Sequence, residues 1–148
     1  MKLIVDSGFW YGLADVSDAY NNIAAEIFNR LKTKAKFLIP YPTLYEVLDT
    51  RLMKPLKDGS NPRAGVLLAK FNGEPNRFQR IKDTYYIDQA YRLTAFENRR
   101  GLSFVDNIIR VMLADNSLKI DGLITFNTKD FADVCRNRIV IYDQYNLP

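Results

Sequence analysis

The chain has 148 residues, 47% of them apolar and 26% charged, with a formal net charge of +4. That is enough for one domain with a buried core, and no apolar run approaches the ~20 residues of a membrane helix. A single cysteine, Cys135, excludes an intramolecular disulfide or a cysteine-rich zinc site, and the absence of histidine excludes every mechanism that needs an imidazole. A hydrolytic site here must use carboxylates, hydroxyls, Lys, Arg or Tyr, and carboxylates favour hard ions such as Mg²⁺ or Mn²⁺. No signal-peptide pattern opens the chain, because only three aliphatics separate Lys2 from Asp6, so a cytoplasmic location is expected.

Residues 2–5 predict a strand that ends on Asp6. Residues 18–32 predict a helix with Asp18 as its N-cap and Tyr20, Ile23, Ile27, Phe28 and Leu31 at helical spacing. KFLIP, 36–40, is a strand stopped by Pro40, and a helix runs from Pro42 to about Met53. PLKDGSNP, 55–62, is turn-forming, and a helix over 63–72 follows. Residues 77–82 suit a short strand or part of a loop, and 88–99 a helix closing at Gly101. Ser103 caps a helix over 104–118, whose apolar face is Val105, Ile108, Ile109, Met112 and Leu113. A strand at 122–126, a short helix at 128–135 and a strand at 139–142 complete the chain. Short aliphatic strands alternating with helices predict a single α/β domain over 1–148, with a mostly parallel central sheet and helices on both faces. Such folds bind ligands at the carboxyl ends of the strands.

The acids fall where that rule places ligands. Asp6 closes the first strand, Glu46 lies early in the helix after the second, Asp106 in the first turn after Ser103, and Asp130 just beyond TFNTK. Each has an ordinary reading alone. Asp6 suits a turn, Glu46 a solvent-facing helix position, Asp106 a first-turn acid or a partner for Arg110, and Asp130 a first-turn acid of a helix capped by Thr128. Together, at one sheet edge, four carboxylates would repel unless a divalent cation joined them. Basic residues cluster elsewhere. Arg51, Lys54, Lys57, Arg63, Lys70, Arg77, Arg80 and Lys82 face only Asp58 and Glu74, so this segment carries +6 and suits a polyanion or a solvated face.

LIVDSGFW with Asp6, PTLYEVLD with Glu46, LSFVDNIIRVMLAD with Asp106, and LITFNTKDF with Asn127 and Asp130 resemble, in order and spacing, a PIN-domain ribonuclease of the VapC toxin type. The resemblance covers nearly the whole chain. It implies a three-layer Rossmann-like PIN fold and an acidic pocket of Asp6, Glu46, Asp106 and Asp130 holding one or two Mg²⁺ or Mn²⁺ ions. It also implies cleavage of RNA by a metal-activated water, a small antitoxin as partner, and a homodimer. Ser7, Thr125 and Asn127 would support the site. Arg51, Lys54, Lys57, Arg63, Arg77, Arg80 and Lys82 would hold the RNA backbone, and Phe78, Tyr85 or Tyr86 would stack bases or pack in the core. Gly8 departs from the family, which places Asn or Ser there, and Asn127 stands where many members carry an acid. The competing readings are a non-catalytic PIN-like module that binds RNA or protein, and a Mg²⁺-dependent phosphatase with Asp6 as nucleophile. DSGFW lacks the second Asp of the phosphatase pattern.

Overall fold

The computed structural model describes residues 1–48, 51–60, 62–97, 100–136 and 138–148, with Arg51 described by its backbone alone. Five parallel strands, β1 (Lys2–Val5), β2 (Lys36–Pro40), β3 (Phe78–Ile81), β4 (Gly122–Ile124) and β5 (Val140–Tyr142), form one sheet in the order β3-β2-β1-β4-β5. The chain therefore winds outward from β1 through β2 to β3, then returns to the other side of β1 for β4 and β5. The reversal lies between β1 and β4, the point at which such sheets open a crevice beyond their strand ends.

Alternation along the strands creates two cores. Leu3 and Val5, Phe37 and Ile39, and Ile124 face one layer, with α1 (Ser7–Ala14), α2 (Asn21–Leu31), α3 (Tyr41–Leu48) and α4 (Arg63–Gly73). Ile4, Leu38 and Leu123 face the other, against α5 (Ile87–Phe96), α6 (Phe104–Ala114) and α7 (Ala132–Cys135). Strands buried on both faces read as the continuous aliphatic runs seen in the sequence. Trp10 anchors the first core. It is fully buried, and edge contacts join it to Phe71, Phe9, Phe78 and Phe37 at 4.8–6.3 Å between ring centroids. Gly122 lets β1 and β4 approach, since a Cβ there would lie 2.7 Å from Leu3 Cδ2.

Several local expectations change. Nothing in SGFWYGLA signalled α1, because its glycines and aromatics are poor helix formers. The helix exists because Asp6 caps it and its aromatic face is buried. Asp18 does not cap α2. Its side chain accepts from the Tyr20 backbone N at 2.9 Å in a turn, and the helix begins at Asn21. α3 ends at Leu48, a 3₁₀ turn follows at Arg51–Met53, and the intervening part of the expected helix lies outside the described residues. α5 ends at Phe96 with Glu97 as its C-cap, and Asn98 and Arg99 of the expected 88–99 helix are likewise outside them. α6 stops at Ala114 because Asp115 breaks away to cap a 3₁₀ turn at Asn116–Leu118. Residues 77–82 do contain a strand, β3. The 128–135 region is a 3₁₀ turn and the one-turn α7, and Thr128 does not cap it, because its hydroxyl donates to Asp143 Oδ2 at 2.5 Å.

Candidate active site

Asp6 sits at the reversal point. Its backbone N–H bonds the Ile124 carbonyl of β4 at 3.0 Å, which fixes the residue at the junction of the two strand ends. One carboxylate oxygen caps α1 through the Ser7 N–H at 2.7 Å, and the other accepts from the Thr125 hydroxyl at 2.8 Å. Thr125 Oγ1 in turn accepts from the Asn127 N–H at 3.0 Å, so the β4 end is held to Asp6 by a short relay of hydrogen bonds. Asp6 is therefore both a cap and a candidate site residue.

Its electrostatic setting is unfavourable for an ordinary cap. Burial raises the Asp6 pKa to about 6 against the help of Thr125 and Ser7, and the Asp106 and Glu46 carboxylates push it further in the same direction. Glu46, projecting from α3, has its pKa raised by burial, eased by the neighbouring Ser7 hydroxyl and raised again by Asp106. Three elements thus bring Asp6, Glu46 and Asp106 into mutual range. Among the described residues none of the three is ion-paired. Asp106 does not pair with Arg110. It folds back into a capping box, accepting from Ser103 Oγ at 2.6 Å and Ser103 N at 3.1 Å.

Asp130 has partners of its own. Its carboxylate accepts from the Asn127 side chain and stands 3.9 Å from Arg100 Nη2, while Arg110 reaches its backbone carbonyl at 2.5 Å. Asn127 and Asp130 therefore bond one another. Arg110 also grips Asp133 with two bonds of 2.7 Å, and that pairing holds the Asp133 carboxyl well below the usual range. The network clamps the loop after β4 to α6, the helix that carries Asp106.

Among the described residues no three acidic or cysteine side chains form a ready-made cage for an ion. The donors at the β1 end nevertheless suit one kind of ion. They are hard carboxylate oxygens, those of Asp6 buried among like charges and, among the described residues, in no ion pair. Mg²⁺ and Mn²⁺ keep several waters and need only one or two carboxylates directly.

Asp143 is an acid that sequence reasoning missed. IVIYD repeats the pattern of LIVD, and Asp143 is buried at the same edge after β5. Its oxygens are filled by the Tyr145 and Asn146 N–H groups, both at 2.8 Å, and by Thr128. It closes a turn.

The candidate RNA-binding residues do not share one surface. Lys54 and Lys57 are exposed beyond the 3₁₀ turn, and Lys82 follows the carboxyl end of β3. Arg63 pairs with Asp15 at 3.7 Å and Arg80 bonds Asn72 at 2.5 Å. Arg77, bound to Glu74, precedes β3 and lies at the opposite edge of the sheet. The Arg51 side chain is outside the described residues. Phe78 is a core residue, and Tyr86 is buried with its hydroxyl on Asp115 at 2.8 Å; Tyr85 alone of the three aromatics is exposed. No helix among the described residues is long and apolar enough to cross a membrane.

No protein-family model and no curated protein matches the sequence. Solved structures do. VapC20 of Mycobacterium tuberculosis, a sarcin–ricin-loop-cleaving toxin, superposes with a TM-score of 0.63 at 19% identity, over 88% of this chain and 94% of that one. VapBC2 of Rickettsia felis and VapBC of Salmonella typhimurium, both bound to DNA, superpose with TM-scores of 0.54 at 13% and 15% identity, each over 97% of this chain and 98% of theirs. Asp6, Glu46 and Asp106 thus stand at one end of a chain that has the PIN-domain fold of VapC-type toxins.

Proposed function

We propose that the chain is a divalent-metal-dependent endoribonuclease and the toxin of a toxin–antitoxin pair. The observation that carries the reading is Asp6, buried at the β1/β4 reversal with two like-charged neighbours and, among the described residues, no ion pair. A structure that needed Asp6 only as a cap would not also place Glu46 and Asp106 where they raise its proton affinity. A cation removes that conflict. The likeness to a toxin that cleaves the sarcin–ricin loop supports RNA as substrate, and the likeness to two VapBC assemblies supports an antitoxin partner. The exposed aromatics of α5, Tyr91 and Phe96, support pairing with a second copy.

Mg²⁺ or Mn²⁺, when bound, would polarise a phosphate oxygen and lower the pKa of a coordinated water. Asp6 and Asp106 would hold the ion, with Glu46 reaching it directly or through water. Thr125 and the Ser7 N–H fix both oxygens of Asp6, so the carboxylate presents one orientation to the crevice. The Ser7 hydroxyl, 3.5 Å from Asp6 Oδ1 and close to Glu46, links the two acids. Asn127 and Asp130, bonded to each other beside Arg100, flank the crevice as a polar wall that would position the RNA or its water.

Asp106→Asn separates the cap from the charge, because an amide oxygen still accepts from Ser103. We expect this variant to lose at most about 1 kcal/mol of stability and to cleave RNA at least about a hundredfold more slowly in Mn²⁺. Gel assays with structured RNA and thermal unfolding read the two effects. Full cleavage by a folded Asp106→Asn chain would remove Asp106 from the site.

A further inference from the structure

The edge of the sheet opposite the acids carries a second feature. Strand starts meet there, and a cleft of about 670 Å³ is lined by Lys2, Lys32, Lys34, Lys36, Arg77 and Lys119. Asp121 is the one acid among its lining residues, and its carboxylate accepts from the Lys2 backbone N–H at 2.7 Å. The chain carries only +4 in total, so six cations around one cleft are a strong local concentration. Sequence proximity accounts only for Lys32, Lys34 and Lys36. Lys36 opens β2, Lys2 opens β1, Arg77 immediately precedes β3, and Lys119 lies just before β4, so the parallel topology gathers them.

We infer that this basic edge is a phosphate-backbone contact surface for RNA, separate from the acidic edge. Lys34, Lys36 and Lys119 are exposed and, among the described residues, in no ion pair. The row follows β3-β2-β1-β4, three strand spacings or about 14 Å, which exceeds what one phosphate requires and fits several successive ones. Lys119 is held at φ +51°, a conformation that favours Gly or Asn, yet the chain places a lysine there. The acidic and basic edges are separated by one strand length, about 15 Å. A folded RNA can lay its backbone along the basic edge while another segment enters the acidic crevice. The choice of RNA over DNA rests on the ribonuclease reading.

The test is binding of a labelled hairpin RNA in EDTA, where no metal-dependent cleavage intervenes, between about 50 and 200 mM KCl. Lys34→Glu with Lys36→Glu should weaken binding at least about tenfold and reduce the slope of log K against log salt by about 1.5, as the loss of two phosphate contacts requires. Circular dichroism verifies that these exposed substitutions leave the fold intact. Unchanged affinity and slope would overturn the proposal. So would tighter binding of a duplex DNA whose affinity, rather than that of RNA, is lost in the variant. If the predicted loss occurs but the wild-type chain fails to cleave RNA in Mn²⁺, the RNA surface stands and the nuclease reading falls.

Discussion

Replacing Asp6 by Asn should abolish RNA cleavage and make the metal-free protein more stable at neutral pH. The rate loss expected is about a thousandfold or more, because several kcal/mol of metal-borne charge stabilisation would go with the ligand. The stability gain follows from linkage. Asp6 has a folded-state pKa of about 6 against an ordinary value of 3.8. Below that ordinary value the side chain is protonated both folded and unfolded, and no penalty exists. As pH rises through the window toward 6, the unfolded chain ionises first, and folding loses stability. Above the window the penalty is complete, on the order of 2–3 kcal/mol for a shift of this size. Asn cannot ionise, and its amide oxygen still accepts from Ser7 while its amide nitrogen faces the Thr125 hydroxyl. Urea unfolding in EDTA should therefore show the variant more stable above pH ~7 and the difference closing near pH ~4. A variant less stable than wild type at both pH values would mean that Asp6 acts chiefly as a cap.

The second large effect lies in the core behind the site. Trp10→Ala should cost about 3–5 kcal/mol, a large part of the stability of an ordinary domain. Trp10 is fully buried, and four phenylalanines pack on it from α1, α4, β2 and β3. It also lies on the helix that Asp6 caps, so loosening its packing loosens the Ser7 N–H that orients the carboxylate. Trp10→Phe should cost much less. It keeps most of the ring contacts and removes an indole Nε1 that has no hydrogen-bond partner among the described residues. Thermal unfolding of the two variants compares them directly. Equal losses would show that the indole's extra volume, rather than the shared aromatic contact, dominates.

The parts of the molecule that were legible in the sequence are those in which local pattern and global role agree. LIVD, KFLIP and GLITF are largely apolar runs because their strands are covered on both faces, and the acids just beyond Val5, in the second turn of α3 and in the first turn of α6 fall at one edge because the sheet is parallel. Three of the four expected acids, Asp6, Glu46 and Asp106, consequently come within range of one another. Asp130 was less legible, since the spacing of Asn127 and Asp130 left open which would serve; in the structure they bond each other and Arg100 stands beside them. α1 was illegible because tertiary burial of Phe9 and Trp10 outweighs the weak helix propensity of SGFWYGLA. The basic residues show the opposite error. Counting charges along the chain grouped Arg77 with Lys82, yet β3 lies between them and sends them to opposite edges. The same count passed over Lys32, Lys34 and Lys36, which only the sheet brings beside Lys2 and Lys119.

The central claim is that the β1/β4 edge is a metal-dependent RNA-cleaving site. It is tested most directly by incubating the purified chain with structured RNA in Mn²⁺ or in EDTA and mapping the product ends. The account predicts discrete internal cuts in Mn²⁺, bearing 5′-phosphates, and none in EDTA. Cleavage that persists undiminished in EDTA would contradict it.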